Sequence, residues 1–325
     1  MKSVKDLLSQ YNADFELIES AMKKHFSSHV PLVNEVSEHI LFSGGKRLRP
    51  LLAVISSRLC GRNEDILFDL SIVPEYLHAA SLLHDDVIDE GLLRRGKEPA
   101  YKVWGNKAAV LAGDYLYARA IDLASQFGDT RIAEAISKTV AFMAEGEIIQ
   151  LLEIDNPSYS EEIYDDIIFR KTASLISCSC KIGALFANGS EEEIKALEDY
   201  GRNLGMAFQI VDDLLDFTAD EKDLGKRLGT DLAEGKVTLP ILTALKNGPR
   251  DDTERLKSIL VKKSSDPKDL EWVRYMLLKS GSLDYSYGRA KNCIDHALKC
   301  LEPFDNSKEK ELFHELALFV LKRKM

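Results

Sequence analysis

Two aspartate triplets with identical spacing interrupt stretches of sequence that are otherwise strongly apolar. They are Asp85-Asp86-x-x-Asp89, which follows Ala-Ser-Leu-Leu-His, and Asp212-Asp213-x-x-Asp216, which follows Phe-Gln-Ile-Val. On a helix, positions i and i+4 lie on one face, so the outer carboxylates of each triplet project the same way. Two such charges ~5 Å apart repel by roughly 3 kcal/mol at an effective dielectric near 20. A fold that half-buries these clusters must therefore raise their pKa values or supply a cation.

Oxygen-only ligands of this kind suit Mg²⁺, which takes one or two carboxylates and completes its shell with water and substrate phosphates. A single acidic triplet on a helix is usually a solvated face. Two triplets with the same spacing, each flanked by Leu, Ile or Val on both sides, do not fit that explanation. The pattern predicts a diphosphate held by magnesium between two acidic helices.

Almost every other segment repeats its apolar residues at a helical period. Helical runs are predicted at about 4–26, 31–42, 50–60, 64–88, 107–127, 130–154, 160–187, 190–218 and 236–247, with several more to the end. Pro74 should kink or restart the helix that leads to the first triplet. There is no alternating strand pattern and no Pro/Gly/Ser linker. We predict an all-α fold in which residues 1–325 form a single domain, a large helical bundle around a central cavity.

Composition excludes some classes of function. The net charge of −10 is unfavourable for a broad nucleic-acid surface, which needs a basic stripe. No signal peptide is expected, because residues 1–14 contain no apolar core of signal-peptide length, and no membrane span is expected, because no uninterrupted apolar stretch reaches 18 residues. The five cysteines are odd in number and lie in apolar helical runs without metal-site spacing. They are typical of core thiols in a reducing compartment, so we expect a cytoplasmic protein.

Four basic segments accompany the triplets. They are Gly44-Gly45-Lys46-Arg47-Leu48-Arg49-Pro50, Arg94-Arg95-Gly96, Arg170-Lys171-Thr172, and the run from Gly225-Lys226 to Gly235-Lys236-Val237-Thr238. Arginine forks and backbone N–H groups at helix starts both bind phosphate oxygens. Any one of these segments alone would indicate a turn with solvated cations. Together they predict two anion pockets, one bridged by metal and one lined by cations.

These motifs occur in a recognisable order. The segments are GGKRLRP (44–50), HAASLLHDDVIDEGLLRRG (78–96), WGNKAAVLAGDYL (104–116), FRKTASL (169–175), FQIVDDLLDF (208–217) and LGKRLGTDLAEGKVTLP (224–240). In this respect the chain resembles the trans-type prenyl diphosphate synthases of the polyprenyl synthetase family, in the long-chain (octaprenyl- or heptaprenyl-type) branch. The resemblance implies an all-α, isoprenoid-synthase-type enzyme, usually homodimeric, that joins isopentenyl diphosphate to an allylic diphosphate with Mg²⁺ as cofactor.

The resemblance also implies a role for each matching position. The expected Mg²⁺ ligands are Asp85, Asp89 and Asp212, and the carboxylates expected to complete the acidic walls are Asp86, Asp213 and Asp216. The allylic substrate is expected to contact Arg94, Lys171, Lys236 and Gln209, with Thr172 and Lys226 close by. The isopentenyl diphosphate is expected to be held by Gly45, Lys46, Arg49, His78 and Arg95. His84 lacks such a match and is expected to be structural.

Product length depends on the residues just before the first triplet. Ala80 and Ser81 lie five and four positions before Asp85, where short-chain members of the family usually carry a bulky aromatic residue. Small side chains here leave open the space into which the growing prenyl chain extends, and each helical turn adds about 5.4 Å to its depth. We therefore expect a long-chain product, from hexaprenyl to decaprenyl, for quinone side chains. The alternatives are a shorter farnesyl or geranylgeranyl synthase and the catalytic subunit of a two-component synthase.

Two competing interpretations are a terpene cyclase, which has the same kind of fold, and a non-catalytic subunit that regulates a partner synthase. A terpene cyclase would usually replace one aspartate motif and would not need the isopentenyl site, whereas both GGKRLRP and the second triplet are intact here. A non-catalytic regulatory subunit commonly loses aspartates from its motifs, and this chain has lost none. A long prenyl product implies at most transient membrane contact for its release. The terminal Lys322-Arg323-Lys324 is expected to be a solvated tail.

Overall fold

The helical periodicity of the sequence is expressed throughout the structure. The computed structural model describes residues 8–89, 96–154, 156, 160–219 and 228–323. Every regular element in these ranges is a helix and none is a β-strand, which confirms the predicted all-α class. The chain divides into two compact units, one of residues 1–141, 175–201 and 300–313 and one of residues 142–174, 202–299 and 314–325. The single domain over residues 1–325 stays a prediction.

Most helices before residue 155 start within two residues of their predicted positions. They are α1 (Asn12–His25), α2 (Pro31–Leu41), α3 (Leu48–Leu59), α4 (Ile66–Ser71), α5 (Val73–Ile88), α6 (Ala100–Trp104), α7 (Asn106–Ser125) and α8 (Thr130–Glu153). However, α1 begins at Asn12 although the predicted run began at residue 4, and α6 was not predicted. Within the first unit, α5 packs along α7, while α4 packs against α1 and α3. Burying these apolar faces contributes roughly 25 cal/mol for each Å² removed from water.

A second set of helices follows. They are α9 (Glu161–Ile168), α10 (Ser174–Phe186), α11 (Glu191–Thr218), α12 (Thr230–Glu234), α13 (Leu239–Asn247), α14 (Arg250–Val261), α15 (Pro267–Lys279), α16 (Ser282–Lys299) and α17 (Lys308–Lys322). Ser160 caps α9, since its side chain accepts from the N–H of Ile163 at 3.3 Å. The apolar helix α13 packs against α16 in the second unit.

The predicted continuous helix over 160–187 is interrupted. Between α9 and α10 the chain forms a π-helical turn over Phe169–Ala173. A π turn inserts one extra residue into a helix and frequently lies at a functional site. This turn contains Arg170, Lys171 and Thr172, so the interruption changes the direction of the side chains to which the sequence assigns substrate contacts.

The helix that leads to the first aspartate triplet restarts where the sequence predicts. Helix α4 ends at Ser71, and α5 begins at Val73 with Pro74 in its first turn, where a proline removes no helical hydrogen bond. The stretch Ile66–Ile88 is long and apolar enough to cross a membrane, but 72% of its most apolar window is buried inside the protein. This burial is typical of a core helix.

Candidate functional site

The first aspartate triplet lies at the end of α5, in the first unit. The N–H of Asp89 donates to the carbonyl of Asp85 at 2.8 Å, so the two residues are one helical turn apart on one face. Asp85 is half-buried and Asp89 is exposed, whereas Asp86 is only 4% exposed. The triplet therefore presents its two outer carboxylates to solvent and keeps the middle one inside.

His84 anchors α5 to α7. Its Nε2 lies 3.0 Å from the carbonyl oxygen of Val110 and 3.5 Å from a carboxylate oxygen of Asp114. A Cβ on Gly113 would come within 2.3 Å of the same nitrogen, so only glycine allows this approach. These contacts are consistent with the structural role expected for His84, and they hold the helix that presents Asp85.

The Gly-Gly-Lys-Arg loop before α3 contains a buried cation. Gly44 and Gly45 have φ angles of +100° and +148°, and Arg47 follows in the left-handed region at φ +47°. Arg47 donates to Glu19 at 2.6 Å, to Glu75 at 3.0 Å and to the carbonyl of Leu41 at 2.6 Å. These three bonds offset the strain of a left-handed non-glycine residue.

The sequence analysis included Arg47 in a basic segment predicted to line an anion pocket, and for Arg47 this prediction was wrong. Its side chain is 6% exposed and is neutralised by carboxylates, so it stabilises the loop instead. Lys46 is exposed and Arg49 is half-buried, with Arg49 Nη1 3.9 Å from Glu75. These two cations, together with Gly45, remain the candidates for an anion at this loop.

The second aspartate triplet lies on α11, in the second unit, and Asp212 is its only half-exposed member. The side chain of Asp212 is 32% exposed, and its Oδ1 lies 3.1 Å from Nη2 of Arg323. The same guanidinium lies over the ring of Phe208, 4.6 Å from its centroid. The prediction of a solvated C-terminal tail was wrong at Arg323, because this residue packs onto α11 beside a carboxylate that needs a cation.

Asp213 is 4% exposed, and donors from the protein occupy both of its carboxylate oxygens. Tyr164 on α9 donates its hydroxyl to Oδ2 at 2.6 Å, and Gln209 donates its amide to Oδ1 at 2.8 Å. Thr172 donates to the carbonyl oxygen of the same Gln209 side chain at 2.8 Å. Asp213 thus accepts one hydrogen bond directly from α9, and it is the final acceptor of a second series that runs from the π turn through Gln209.

Asp216 is fully buried and accepts from the segment that follows it. Its Oδ2 accepts from the N–H of Asp231 at 3.0 Å, and its carbonyl accepts from the N–H of Gly229 at 3.0 Å. A carboxylate at these N–H groups stabilises the start of the short helix α12. That helix ends at Glu234 and is followed by Gly235 in the left-handed region; the ammonium of Lys236 lies 2.7 Å from Glu234. Asp216 therefore positions the segment that carries Lys236.

The π turn lies close against α8. A Cβ on Gly146 would come within 2.7 Å of the Cβ of Arg170, so the two helices approach at a glycine. Lys171 forms an ion pair with Glu147 and donates to the side chain of Gln150. Glu147 and Gln150 therefore hold the amine of Lys171 in place, and sequence reasoning had not singled out either residue.

Three predicted substrate contacts lie outside the described residues, namely Arg94, Arg95 and Lys226. His78 is half-buried on α5, and its carbonyl accepts from the Ser81 hydroxyl at 2.9 Å. Ala80 has no exposed surface, whereas Ser81 is half-buried. Of the two expected chain-length residues, Ser81 is therefore the one with an accessible side chain.

Each triplet by itself offers oxygen ligands that suit a hard divalent cation. The accessible carboxylates are Asp85 and Asp89 in the first unit and Asp212 in the second. In the described ranges, no three His, Cys, Asp or Glu side chains form a ready metal-ligand group. A magnesium ion does not need one, because one or two carboxylates bind it while water and phosphate oxygens complete its octahedron.

Comparisons with known proteins identify the family of the chain. The polyprenyl synthetase family model matches residues 30–277. An octaprenyl diphosphate synthase of Escherichia coli (strain K12) is 36% identical over 99% of both chains. A short chain isoprenyl diphosphate synthase of Methanothermobacter thermautotrophicus is also 36% identical over 99% of both chains. The chain therefore belongs to the polyprenyl synthetase family and is an all-helical prenyltransferase.

Solved structures share the fold over the whole chain. A polyprenyl synthase from Caulobacter crescentus CB15, complexed with calcium and isoprenyl diphosphate, superposes with a TM-score of 0.93. It is 35% identical, and the match covers 99% of this chain and 98% of that one. That complex is consistent with the use of a divalent metal and of isoprenyl diphosphates in this family.

Several residues that hold the site were missed from the sequence. Tyr164 and Arg323 lie 49 and 111 positions from the aspartates that they contact, so no local pattern links them. Glu75 was detectable in principle, because an acidic residue in the first turn of an otherwise apolar helix needs a partner when it is buried. The π turn has no signal in apolar periodicity.

The role of Arg47 can be tested by its effect on stability. Replacing Arg47 by Met leaves Glu75, whose side chain is 7% exposed, without its main partner. We expect the free energy of unfolding to fall by about 3 kcal/mol, measured by urea denaturation. The matched change at its exposed neighbour, Lys46→Met, should lower stability by less than about 0.5 kcal/mol. Equal losses in the two variants would contradict the buried ion pair.

Proposed function

We propose that this protein is a long-chain trans-polyprenyl diphosphate synthase that adds isopentenyl diphosphate units to an allylic diphosphate, for quinone side chains. The observation that carries this proposal is the division of each aspartate triplet into accessible and buried carboxylates. Asp85, Asp89 and Asp212 are accessible and would ligate Mg²⁺ on the allylic diphosphate. Asp86, Asp213 and Asp216 are buried and would hold these ligands in position.

The difficult step of such a reaction is cleavage of the allylic C–O bond, which leaves a carbocation and a diphosphate. Bound Mg²⁺ would supply Lewis-acid stabilisation of the charge on the leaving oxygens. The allylic diphosphate would contact Lys171, Lys236 and Gln209, with Thr172 beside them, and Arg94 and Lys226 are proposed from the sequence match alone. Preorganised cations lower the barrier most where charge develops.

The second substrate needs its own anion site. Gly45, Lys46, Arg49 and His78 would hold the isopentenyl diphosphate, and Arg95 joins them from the sequence match. The left-handed backbone at Arg47 supports this assignment, because it sets the loop geometry while leaving Lys46 exposed. Fixing the diphosphate here would place the isopentenyl double bond for attack on the allylic cation. The new C–C bond leaves a cation on the isopentenyl unit, which would lose a proton from its adjacent CH2 group to the released diphosphate and so form the new double bond.

The proposed product length rests on α5. Overall similarity does not decide it, since an octaprenyl and a short-chain relative are equally identical to this chain. The small residues Ala80 and Ser81 before the first triplet favour a long product. The shorter-chain synthase and the catalytic subunit of a two-component synthase remain the alternatives.

We also propose a homodimer in the cytoplasm. Helix α7 leaves Val110, Leu111 and Ile121 exposed by 37%, 65% and 47%. Val110 and Ile121 are eleven positions apart, just over three whole turns, so they share a face. Such a face would be covered by a second copy of the chain. All five cysteines are free thiols, which supports a reducing compartment.

An assay of the purified chain alone tests the proposed function. With farnesyl diphosphate, isopentenyl diphosphate and Mg²⁺, we expect prenyl diphosphates of six to ten units, separated by chromatography after removal of the phosphates. Products of three or four units would support the shorter-chain alternative, and activity only with an added subunit would support the two-component one. Light scattering on the same sample should give about twice the chain mass of 36.5 kDa.

The chain-length assignment predicts the effect of a bulky residue at position 81. Ser81→Phe should remove the longest products and shift the distribution to shorter ones, because the aromatic ring would fill the depth below Asp85. Leu82→Phe is the matched control, since it adds the same ring about 100° further round the helix. Identical product lengths in wild type and Ser81→Phe would refute the assignment.

The contact between Arg323 and Asp212 predicts an effect on metal binding. Arg323→Met removes a cation from a proposed metal ligand, so Mn²⁺ should bind about threefold to fivefold more tightly without diphosphate. This range follows from a partly exposed ion pair, worth up to ~1 kcal/mol. Titration followed by electron paramagnetic resonance measures the affinity. Lys322→Met removes the same charge from an exposed position and should have no such effect; equal affinities in both variants would argue against Asp212 as a ligand.

A further inference from the structure

The hydrogen bonds around Asp213 have a definite direction. Tyr164 has one hydroxyl proton and donates it to Oδ2, and Gln209 donates one amide proton to Oδ1. An ionised carboxylate only accepts, so it fixes which end of the Gln209 amide faces it. The carbonyl end then faces Thr172, whose single hydroxyl proton is donated to it.

This direction decides which groups can donate to a diphosphate. A diphosphate accepts hydrogen bonds and has no donor of its own at full ionisation. The Thr172 proton is already donated to Gln209, so Thr172 has none left for the substrate. Gln209 has a second amide proton, and its direction is set by the first. The Gln209 side chain is therefore the donor of this cluster, and Asp213 orients it.

We propose that Tyr164 is a positioning residue for the allylic diphosphate, acting through Asp213 and Gln209. This inference rests on the proposed function, in which Gln209 contacts that substrate. Tyr164 is 2% exposed, so its hydroxyl is inside the protein and cannot itself reach a ligand in solvent. Without its bond, the Asp213 carboxylate loses a short hydrogen bond that helps to fix its orientation, and the direction of the Gln209 amide is set less tightly.

The helix that carries Tyr164 is held firmly from the opposite side. Arg289 on α16 binds Glu161 at 2.8 Å and Asp165 at 2.7 Å. Burial raises the pKa of Asp165, and the guanidinium of Arg289 opposes that effect only in part. Tyr285 donates to Glu161 at 2.8 Å as well. Because these contacts fix α9, the Tyr164 hydroxyl is held at a fixed position beside Asp213.

The chain contains a matched control for this proposal. Tyr164 and Tyr285 each donate a phenol proton to a carboxylate, and both bonds involve α9. The bond of Tyr285 lies at the surface, where that tyrosine is 42% exposed. Tyr164→Phe and Tyr285→Phe therefore each remove one phenol–carboxylate hydrogen bond. The bond lost in Tyr164→Phe connects to Gln209 through Asp213, whereas the bond lost in Tyr285→Phe only anchors α9.

The experiment compares these variants in binding and in kinetics. Binding of inorganic diphosphate with Mg²⁺, measured by calorimetry, should weaken about tenfold in Tyr164→Phe and stay unchanged in Tyr285→Phe. The KM for the allylic substrate should rise by a similar factor, while the KM for isopentenyl diphosphate should not change. Thermal unfolding of each variant confirms that it is folded under the assay conditions.

A double variant tests whether Tyr164 acts through Gln209. Gln209→Leu alone should weaken diphosphate binding, and adding Tyr164→Phe should cause no further loss. The inference would be overturned if the losses of diphosphate affinity in the two single variants multiplied in the double variant. Equal diphosphate affinities in wild type and Tyr164→Phe would overturn it as well. The failure of the proposed function is a separate result, since wild-type protein would then form no prenyl product at all.

Discussion

The structure depends on the need of each buried carboxylate for a donor. Glu75, Asp213 and Asp216 all lie inside the protein, where an unpaired charge would be costly. Arg47 stabilises Glu75, Tyr164 and Gln209 stabilise Asp213, and backbone N–H groups stabilise Asp216. Each of these pairings also sets the geometry of a neighbouring segment that we propose to bind substrate.

The same constraint explains why two identical triplets contain residues with different roles. On a helix at the edge of a core, the outer carboxylates of the first triplet face solvent and the middle one faces inward. In the second triplet only the first carboxylate is accessible, because the chain after α11 returns to cover Asp216. Identical spacing therefore does not imply identical chemistry, since the surroundings of each helix differ.

Close approach at small residues positions the remaining cations. Gly146 lets the π turn lie against α8, and Gly205 brings α11 to within contact of Ala173 at the end of the same turn. Lys171 and Thr172 thus lie between helices at fixed positions, held by side chains on α8 and α11. Larger residues at these glycines would move the turn, and with it both side chains.

Much of the fold was predictable from local patterns. The all-α class, most helix positions, the restart at Pro74 and the pairing of carboxylates within each triplet follow from spacing along one helix, which the sequence displays directly. The π turn, the internal role of Arg47, and the contacts of Tyr164 and Arg323 did not. Those contacts join residues 49 and 111 positions apart. They exist only because packed helices bring distant side chains together, and a carboxylate accepts a hydrogen bond from whichever donor that packing places beside it.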